Sequence, residues 1–471
     1  MIRRTNHALP NEAIRSIEHY RSIGGLSGLQ TARSRDPDAT IEQITNAGLR
    51  GRGGAGFPTG RKWQSLAAGN TSADRSFVVV NGAEGEPGTF KDRSLLRLNP
   101  YVVIEGALIA AHCIATSRIV VATKAIYERE LANIRRVRQE FDDAGLLDGL
   151  EVAIVEGPDQ YLFGEETAML EVIEGDEPLP RHLPPYHYGL FTTSPQLGWS
   201  AGLDDSPGGP AEHSNNPALV NNVETYAHAT LICQHGAEWY RTMGTNASPG
   251  PTIVTITGDV QQSVVAEVEL GQPLGALIEE LSGGPADGRS IKAVLSGVSN
   301  PVLTSQALST PVSYEHLADA GGGLGSAGFI VFDDRRNMVD VAYQVSRFLH
   351  IESCGQCNPC KTGTLDITAA LEHLVTGTGS QNNAIATIQR RMQTVTDASR
   401  CYLPTQEQQV VTSLLQRFPD DLAARLERVG GDADLVLPKL VDIDNGIAQI
   451  DPTAKYKRPD WTYSQTPVWF R

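Results

Sequence analysis

Three cysteines stand two residues apart, at Cys354, Cys357 and Cys360, and a fourth, Cys401, follows after a gap of 40 residues. No other feature restricts this chain's folding so tightly. Three thiols from one loop and one from a distant position would have to meet at a common point. Four cysteines are the usual protein ligands of a [4Fe–4S] cluster: one short loop wraps three corners, and the fourth ligand can arrive from anywhere in the fold. Zinc is the rival occupant, although structural zinc usually takes two separate cysteine pairs. Unliganded core cysteines are a third reading. The flanking sequence supplies a frame for such a centre. MVDVAYQVSRFLHIESC carries Val339, Val341, Ala342, Val345, Phe348 and Leu349 at helical spacing, and LDITAALEHLVTG, NAIATIQRRMQTV and TQEQQVVTSLLQRF repeat the pattern. A bundle of about four helices over 336–430 follows. Cys113 and Cys233 lie in apolar helical stretches and read as core packing.

The N-terminal half is of a different kind. FVVVNG, RIVVAT and EVAIVEG read as buried strands, and Pro100–Ala115 and Asn222–His235 as helices between or after them. That alternation predicts an α/β domain over 1–240 with a parallel or mixed sheet. Asp176 to Pro217 is rich in Pro, Gly and Ser and reads as a surface excursion. A second unit over 245–335 shows strand, turn and helix patterns of α+β character, beginning with PTIVTITGDV and ending with GFIVFDD. The last stretch, 431–471, has weak periodicity. It reads either as an extended tail lying on a partner or as a disordered one.

Composition narrows the partners. The 471 residues include 55 acidic and 39 basic side chains, a formal charge of −16. That excess excludes general nucleic-acid binding, which needs cationic surface. No run of about 18 apolar residues exists, so no membrane insertion is expected. The start, MIRRTNHALPNEAIRS, lacks the apolar core of a secretory signal. Six cysteines are too few for a disulfide scaffold at this length, and their clustering favours a reducing, cytoplasmic setting.

LRGRGGAGFPTGRKW, Leu49–Trp63, contains G-x-G-x-x-G at Gly51, Gly53 and Gly56. A helical pattern precedes it where a Rossmann fingerprint needs a strand, and no Gly-Lys-Ser/Thr follows, so neither that fingerprint nor a P-loop fits. The loop could still bring backbone N–H groups onto phosphate or ring oxygens, with Arg50, Arg52, Arg61 and Lys62 as cationic donors. A tight turn with solvated basic residues is the plainer reading. Three further elements are ambiguous singly. NGAEGEPGTFKDR presents Glu84 and Glu86 after a strand. GEETAMLEVIEG puts Glu165 and Glu166 at a helix start, where carboxylates could simply satisfy the dipole. VNNVET offers Asn221, Asn222 and Thr225 to cap a helix or bond a heterocycle edge.

Taken together and in order, GRGGAGFPTGRKW, NGAEGEPGTFKDR, GEETAMLEVIEG, VNNVET and ESCGQCNPCKTGT with Cys401 resemble one family. It is the NADH-binding, NuoF-type flavoprotein subunit of respiratory complex I, shared with NAD-linked hydrogenases and formate dehydrogenases. The resemblance covers about residues 45 to 410. It implies α/β plus α+β plus α architecture: a Rossmann-like flavin domain, a ubiquitin-like (SLBB) domain and a four-helix bundle carrying the cluster. It implies an NADH:acceptor oxidoreductase with FMN, NAD(H) and a [4Fe–4S] cluster, feeding single electrons to partner subunits. A small, thioredoxin-like [2Fe–2S] subunit would be the nearest of these, and any membrane association would run through such partners. Carried over, Gly51, Arg52, Gly53, Gly54, Ala55, Gly56 and Phe57 form the nucleotide loop, with Phe57 as a stacking ring. Lys62, Asn81, Glu84, Gly164, Asn221, Asn222 and Thr225 would hold FMN, with Glu165 and Val220 as further cofactor-binding residues. Glu86 would accept from a ribose hydroxyl, Glu166 would lie near the nicotinamide, and Tyr186 is a further cofactor-binding residue. Glu84 and Glu166 are the expected catalytic carboxylates, and Cys354, Cys357, Cys360 and Cys401 the cluster ligands. Four positions depart from the family pattern: Ala83 for an acidic residue, Phe163 for Cys, Leu183 for Lys, and Ser65 for an aromatic. They frame a second expectation, an electron-relay or structural subunit that keeps the cluster with nicotinamide binding lost or altered.

Overall fold

The computed structural model describes residues 1–69, 76–186, 188–190, 216–286, 288–427 and 435–459. Its strands in chain order are β1 (Arg4–Thr5), β2 (Phe77–Gly82), β3 (Arg118–Lys124), β4 (Glu151–Gly157), β5 (Ala218–Asn222), β6 (Pro251–Gly258), β7 (Val264–Glu269), β8 (Ile291–Ser296), β9 (Leu303–Thr304), β10 (Gly328–Asp333), β11 (Leu440–Asp444) and β12 (Ile447–Ile450). The three strands expected in the first half are present, and with β5 they form a four-stranded parallel sheet in the order β4-β3-β2-β5. Val78, Val79 and Val80 are all fully buried, as a parallel strand covered on both faces requires. Helices Pro100–Cys113 and Val223–His235 cover one face together with Val78, Val80, Ile119 and Val121. Phe163, Met169 and Leu170 cover the other, against Val79, Val120, Ala122 and Val220.

The connectivity fixes where a ligand can sit. The chain runs from β2 to β3 to β4 on one side, then returns to β5 on the other side of β2. The strand order therefore reverses between β2 and β5. In such sheets the crevice outside the carboxyl ends at the reversal is the natural binding place, because the connections diverge there and leave it open.

A second sheet has the order β1-β7-β6-β10-β8-β9; β10 lies parallel to β6 and the other pairs are antiparallel. Helix Leu274–Ser282 packs on one face through Leu274, Leu277 and Ile278. The opposite face, with Ala293, Leu295, Ile330 and Phe332, shares a core with Val341, Leu349, Leu371 and Leu414 of the helical region. The N-terminus touches both units: β1 pairs with β7 and the N–H groups of Ala8 and Leu9 each donate to Glu267 at 2.8 Å, while Ala8, Leu9 and Ile14 share the core of the α/β domain.

The C-terminal helices are Met338–Glu352, Asn358–Thr376, Gln381–Met392 and Leu403–Arg417, with a shorter fifth, Pro419–Leu426. The fifth is held by buried Arg425, whose Nε donates to Asp340 Oδ1 at 2.8 Å. Residues 435–459 are neither extended nor patternless. β11 and β12 form a hairpin whose Asn445 and Gly446 both have positive φ, +48° and +78°, the conformation a two-residue Asn-Gly turn requires. Most of the expected 176–217 excursion (191–215), the end of the expected helical unit (428–430) and both ends of the expected tail (431–434 and 460–471) lie outside the described residues. Among the described residues no single helix is long and apolar enough to cross a membrane.

Candidate functional site

The glycine loop meets the sheet at the strand-order reversal. Helix Pro37–Ala47 precedes it, as the sequence suggested, and helix Thr59–Gly69 follows, which the Pro58 and Gly60 punctuation had hidden. Gly51 N donates to Phe57 O at 2.8 Å and Thr59 N to Leu49 O at 2.9 Å, closing the loop on itself. Gly54 and Gly56 have φ of +116° and +63°, which disfavours any side chain. A Cβ on Gly53 would lie 3.3 Å from Asn222 Cβ, so the loop runs directly against the end of β5. Arg52 N donates to Thr225 Oγ1 at 2.9 Å, fixing that approach. Ala55 lies within the same turn, and Phe57 is about half exposed.

Arg52 is not a free phosphate donor. Its guanidinium is buried and donates to Tyr240 Oη at 3.0 Å, Pro251 O at 2.9 Å and Tyr314 Oη at 3.4 Å. It ties the loop to the second sheet. Arg50 is similarly engaged, donating to Gly56 O at 2.7 Å and lying 4.0 Å above the Tyr314 ring. Cations surrounded by protein acceptors have lost the exposure that would let them meet a ligand.

The carboxyl ends of β2 and β5 supply the next ring of groups. Asn81 Nδ2 donates to Gly164 O at 2.9 Å, and its Oδ1 accepts from Ala83 N at 3.1 Å. Asn222 caps helix Val223–His235 by accepting from Glu224 N at 3.0 Å; it also accepts from Lys91 Nζ at 3.1 Å and donates to Asp92 Oδ2 at 2.7 Å. Asn221, with its amide turned to satisfy both neighbours, accepts from Trp63 Nε1 at 2.9 Å and donates to Val220 O at 3.2 Å. Val220 is a buried β5 residue, 4% exposed, so only its backbone could face a ligand. Lys91 is a residue the sequence motifs did not single out. Its ammonium is buried between Asp92 at 2.6 Å and Glu224 at 2.8 Å. Burial opposes the charge on Glu224, but Lys91 outweighs it and holds that carboxyl well below the usual range. Burial pushes Asp92 up to about 6.

The expected acidic groups separate into different jobs. Glu84 is buried: Arg93 Nε donates to it at 3.0 Å, and the amides of Asp92 and Arg93 at 3.1 and 3.4 Å. A carboxylate so occupied holds its own loop. Glu86 accepts from Val298 N at 3.0 Å and from the hydroxyls of Ser299 and Ser326, so it reaches the second sheet. Glu165 is the N-cap of helix Glu166–Glu174, accepting from Thr167 N and Ala168 N at 3.0 and 2.8 Å; here the plain dipole-and-cap reading holds. Glu166 instead pairs with Lys62 at 2.6 Å, both partly exposed. Tyr186 is not part of this gathering. Pro185 O accepts from Ala218 N, which puts Tyr186 at the start of β5, roughly 13 Å of strand from Asn222. Its neighbour Leu183 offers no cation there.

The four site cysteines do come together. Cys354, Cys357, Cys360 and Cys401 line one small cavity with Leu162, Ser353, Arg400, Leu403 and Pro404. Two helices aim their N-termini at it: Cys357 precedes Asn358–Thr376 with Pro359 in the first turn, and Cys401 precedes Leu403–Arg417 with Pro404 in the first turn. The positive ends of both helices favour thiolates. Burial pushes the Cys360 thiol up to about 12, so that thiol keeps its proton until a metal centre displaces it. Ser353 Oγ lies 3.4 Å from Cys360 Sγ, and Gln356 Nε2 donates to Cys354 Sγ at 3.6 Å. Among the described residues no three Cys, His, Asp or Glu side chains converge closely enough for a single ion. Three cysteines from one loop and a fourth from a distant helix start, lining one cavity, match the usual four-cysteine ligation of a [4Fe–4S] cluster. Cys113 and Cys233 are buried in the α/β core, as expected.

The two gatherings are neighbours along the chain. Leu162 lines the cysteine cavity, and Gly164, two residues on, is bonded to Asn81 at the strand-order reversal. Two residues span at most about 7 Å of chain. Tyr161, which no sequence motif marked, continues the link: it is packed 5.3 Å from Phe348, and its Oη accepts from Gln406 Nε2 at 2.8 Å. Its signal was its position three residues before Gly164.

The class is thus a parallel α/β domain with a glycine loop at its reversal point, joined to a helical region that gathers four cysteines. Known proteins give that class a family. Residues 44–230 match the family model described as Nuo51 FMN-binding domain, and residues 340–425 the NADH-ubiquinone oxidoreductase-F iron-sulfur binding region. The NADH-quinone oxidoreductase F-subunit 2 of Rhizobium meliloti (strain 1021) is 37% identical over 378 residues, 77% of this chain and 83% of its own. The NADH-quinone oxidoreductase F-subunit of Mycobacterium tuberculosis (strain ATCC 25618 / H37Rv) is 34% identical over 424 residues, 88% of this chain and 89% of its own. The crystal structure of an NAD+-reducing [NiFe]-hydrogenase in the air-oxidized state superposes with a TM-score of 0.72 at 29% identity, covering 90% of this chain and 68% of that one. The chain belongs to the family of NADH-quinone oxidoreductase F-subunits, the NuoF-type flavoproteins, and carries that family's FMN-binding domain and iron–sulfur binding region.

Proposed function

We propose that this chain is the NADH-oxidising subunit of a larger redox assembly, taking hydride from NADH to FMN and passing single electrons through a [4Fe–4S] cluster to partner subunits. The observation that carries this reading is the two-residue step from Gly164, at the strand-order reversal, to Leu162, at the cysteine cavity. When bound, the flavin supplies conversion between two-electron and one-electron chemistry, and the cluster supplies one-electron transfer.

The chain's own residues supply geometry and charge. The backbone of Gly51–Phe57, the Asn81–Gly164 pair, Asn221, Asn222 and Thr225 would hold the flavin ring and phosphate. Lys62 would give up Glu166 to reach a ligand, leaving that carboxylate beside the nicotinamide. Glu86 would exchange a serine hydroxyl for a ribose hydroxyl, and Phe57, already exposed, would stack on the nucleotide. Cys354, Cys357, Cys360 and Cys401 would hold the cluster, with two helix N-termini offsetting thiolate charge. The domains proposed are an FMN/NADH-binding α/β domain ending near 240, a ubiquitin-like unit over 245–335 and a cluster-binding helical unit over 336–430. The order β7-β6-β10-β8-β9, with a helix between β7 and β8 and β10 parallel to β6, supports the ubiquitin-like reading. A small, thioredoxin-like [2Fe–2S] subunit and a complex I, hydrogenase or formate dehydrogenase type assembly are the proposed partners, in the cytoplasm.

Anaerobic titration of FMN-reconstituted protein with NADH, followed at flavin and iron–sulfur absorbance, tests this. Stoichiometric bleaching of both supports it. A flavin reduced by dithionite but not by NADH would instead select the relay reading, which the loss of a cation at Leu183 favours.

A further inference from the structure

Residues 435–459 lie outside both stretches matched to the family, yet they are pinned to the segment that the site depends on. Gly88 N donates to Pro438 O at 2.8 Å, and Arg93 Nη1 to Leu440 O at 2.7 Å. Arg93 is the same residue that grips Glu84. A second link runs through charge. Lys439 Nζ meets Asp159 Oδ2 at 2.8 Å, and Asp159 Oδ1 meets Lys124 Nζ at 2.9 Å. Lys124 ends β3, and its side chain is 1% exposed. Its ammonium presses on the loop itself: a Cβ on Gly85 would lie 2.9 Å from Lys124 Nζ. Burial alone would push the Lys124 amine toward neutrality, and Asp159 is the counter-charge opposing this. Lys439 shares that counter-charge and is anchored in turn by Asp451 at 3.1 Å. Lys457 closes the far end on Glu352, at 2.9 Å.

These links are discrete. Between the hairpin and the loop lies a cavity of about 260 Å³ lined by Glu84, Gly85, Arg93, Tyr127, Asp159 and Lys439, among others. The hairpin thus meets the loop at a few polar points across a gap, while Leu435 and Leu437 anchor the segment in the core of the helical region. Cutting one such point leaves the core packing in place.

We propose that the C-terminal hairpin is a strap that positions the Glu84–Arg93 loop, with Lys439 acting through Asp159 and Lys124 as a positioning residue for flavin binding. The flavin part rests on the function proposed above; the bracing itself does not.

The test uses the full chain with Lys439→Met, which keeps the aliphatic stem, and Lys439→Arg as the conservative rescue. Hydrogen–deuterium exchange of the 83–93 amides is measured without ligand, and FMN affinity by quenching of flavin fluorescence. Lys439→Met should speed exchange in 83–93, leave 338–352 unchanged and weaken FMN binding by about three- to tenfold, the range of a half-buried ion pair. Lys439→Arg should restore both. Unchanged exchange in 83–93 would overturn the strap. Faster exchange with unaltered FMN affinity would overturn its role in flavin binding. If the wild-type chain binds no FMN, the functional reading fails, and the exchange result alone decides the strap.

Discussion

Replacing Lys91 with Met removes the charge at the centre of the crevice while keeping most of the side-chain volume. The structure sets the magnitude. Lys91, Asp92 and Glu224 are 2%, 6% and 1% exposed in their side chains, and the ammonium lies within 2.8 Å of both carboxylates. Taking away one partner of a buried ion pair costs about 3–5 kcal/mol, because the remaining charge is stranded without water. Here two carboxylates are stranded together, though Glu224 keeps its bonds from Ile253 N at 2.8 Å and Thr252 Oγ1 at 3.1 Å. A loss of about 4 kcal/mol at pH 7 is expected. The pH dependence gives the sharper test. In the variant the stranded carboxyls have folded pKa values above their unfolded ones, so the protonated fold is favoured at low pH and the deficit grows as pH rises. Glu224, which Lys91 holds ionised in the parent chain, contributes about 1.4 kcal/mol per pH unit if it stays protonated to pH 7 in the variant, or roughly 2.7 kcal/mol between pH 5 and 7, whereas Asp92, already raised to about 6, adds less. Urea unfolding followed by tryptophan fluorescence, at pH 5, 6 and 7, should show most of the deficit vanishing at pH 5. A deficit under about 1 kcal/mol at pH 7, or one equal at both ends, would refute the account of Lys91 as the counter-charge of this crevice.

Three further outcomes are expected. Cys401→Ser should abolish the iron–sulfur absorbance and paramagnetic signal of anaerobically reconstituted protein, whereas Cys113→Ser should leave both intact. Gly56→Ala forces a Cβ to within 2.5 Å of the Tyr314 ring at a positive φ, so it should destabilise by about 1–3 kcal/mol and expose the glycine loop to limited proteolysis. Leu183→Lys should tighten NADH binding in an equilibrium titration without altering FMN affinity; an unchanged NADH dissociation constant would remove Leu183 from the nucleotide pocket.

Much of the fold was legible in the chain. FVVVNG is β2 with the same ends, and the helix that VNNVET opens starts at Val223, one residue after Asn222, because the strand and cap signals there are local. The Asn445-Gly446 hairpin signal is equally local, but weak apolar periodicity around it masks the two short strands. Thr59–Gly69 was hidden because Pro58 and Gly60 are turn residues that a helix also tolerates at its first turn. The roles of charged residues were much less legible. Arg52 and Glu84 look like ligand groups in a motif, yet both are spent on protein partners. Lys91 and Lys124 look ordinary in sequence, yet both are buried counter-charges at the crevice.

The sequence by itself determined which residues could do chemistry: four cysteines at cluster spacing, a loop no side chain could enter, and carboxylates and amides at strand and helix ends. Those properties depend on residue type and near neighbours, which the chain order records directly. Only the tertiary structure decided which of them remain available. Charge pairing and burial depend on residues brought from far along the chain, as when Arg52 meets Pro251 or Lys439 shares Asp159 with Lys124. A buried charge must find a partner wherever the fold supplies one, and spacing in sequence carries no record of that distance.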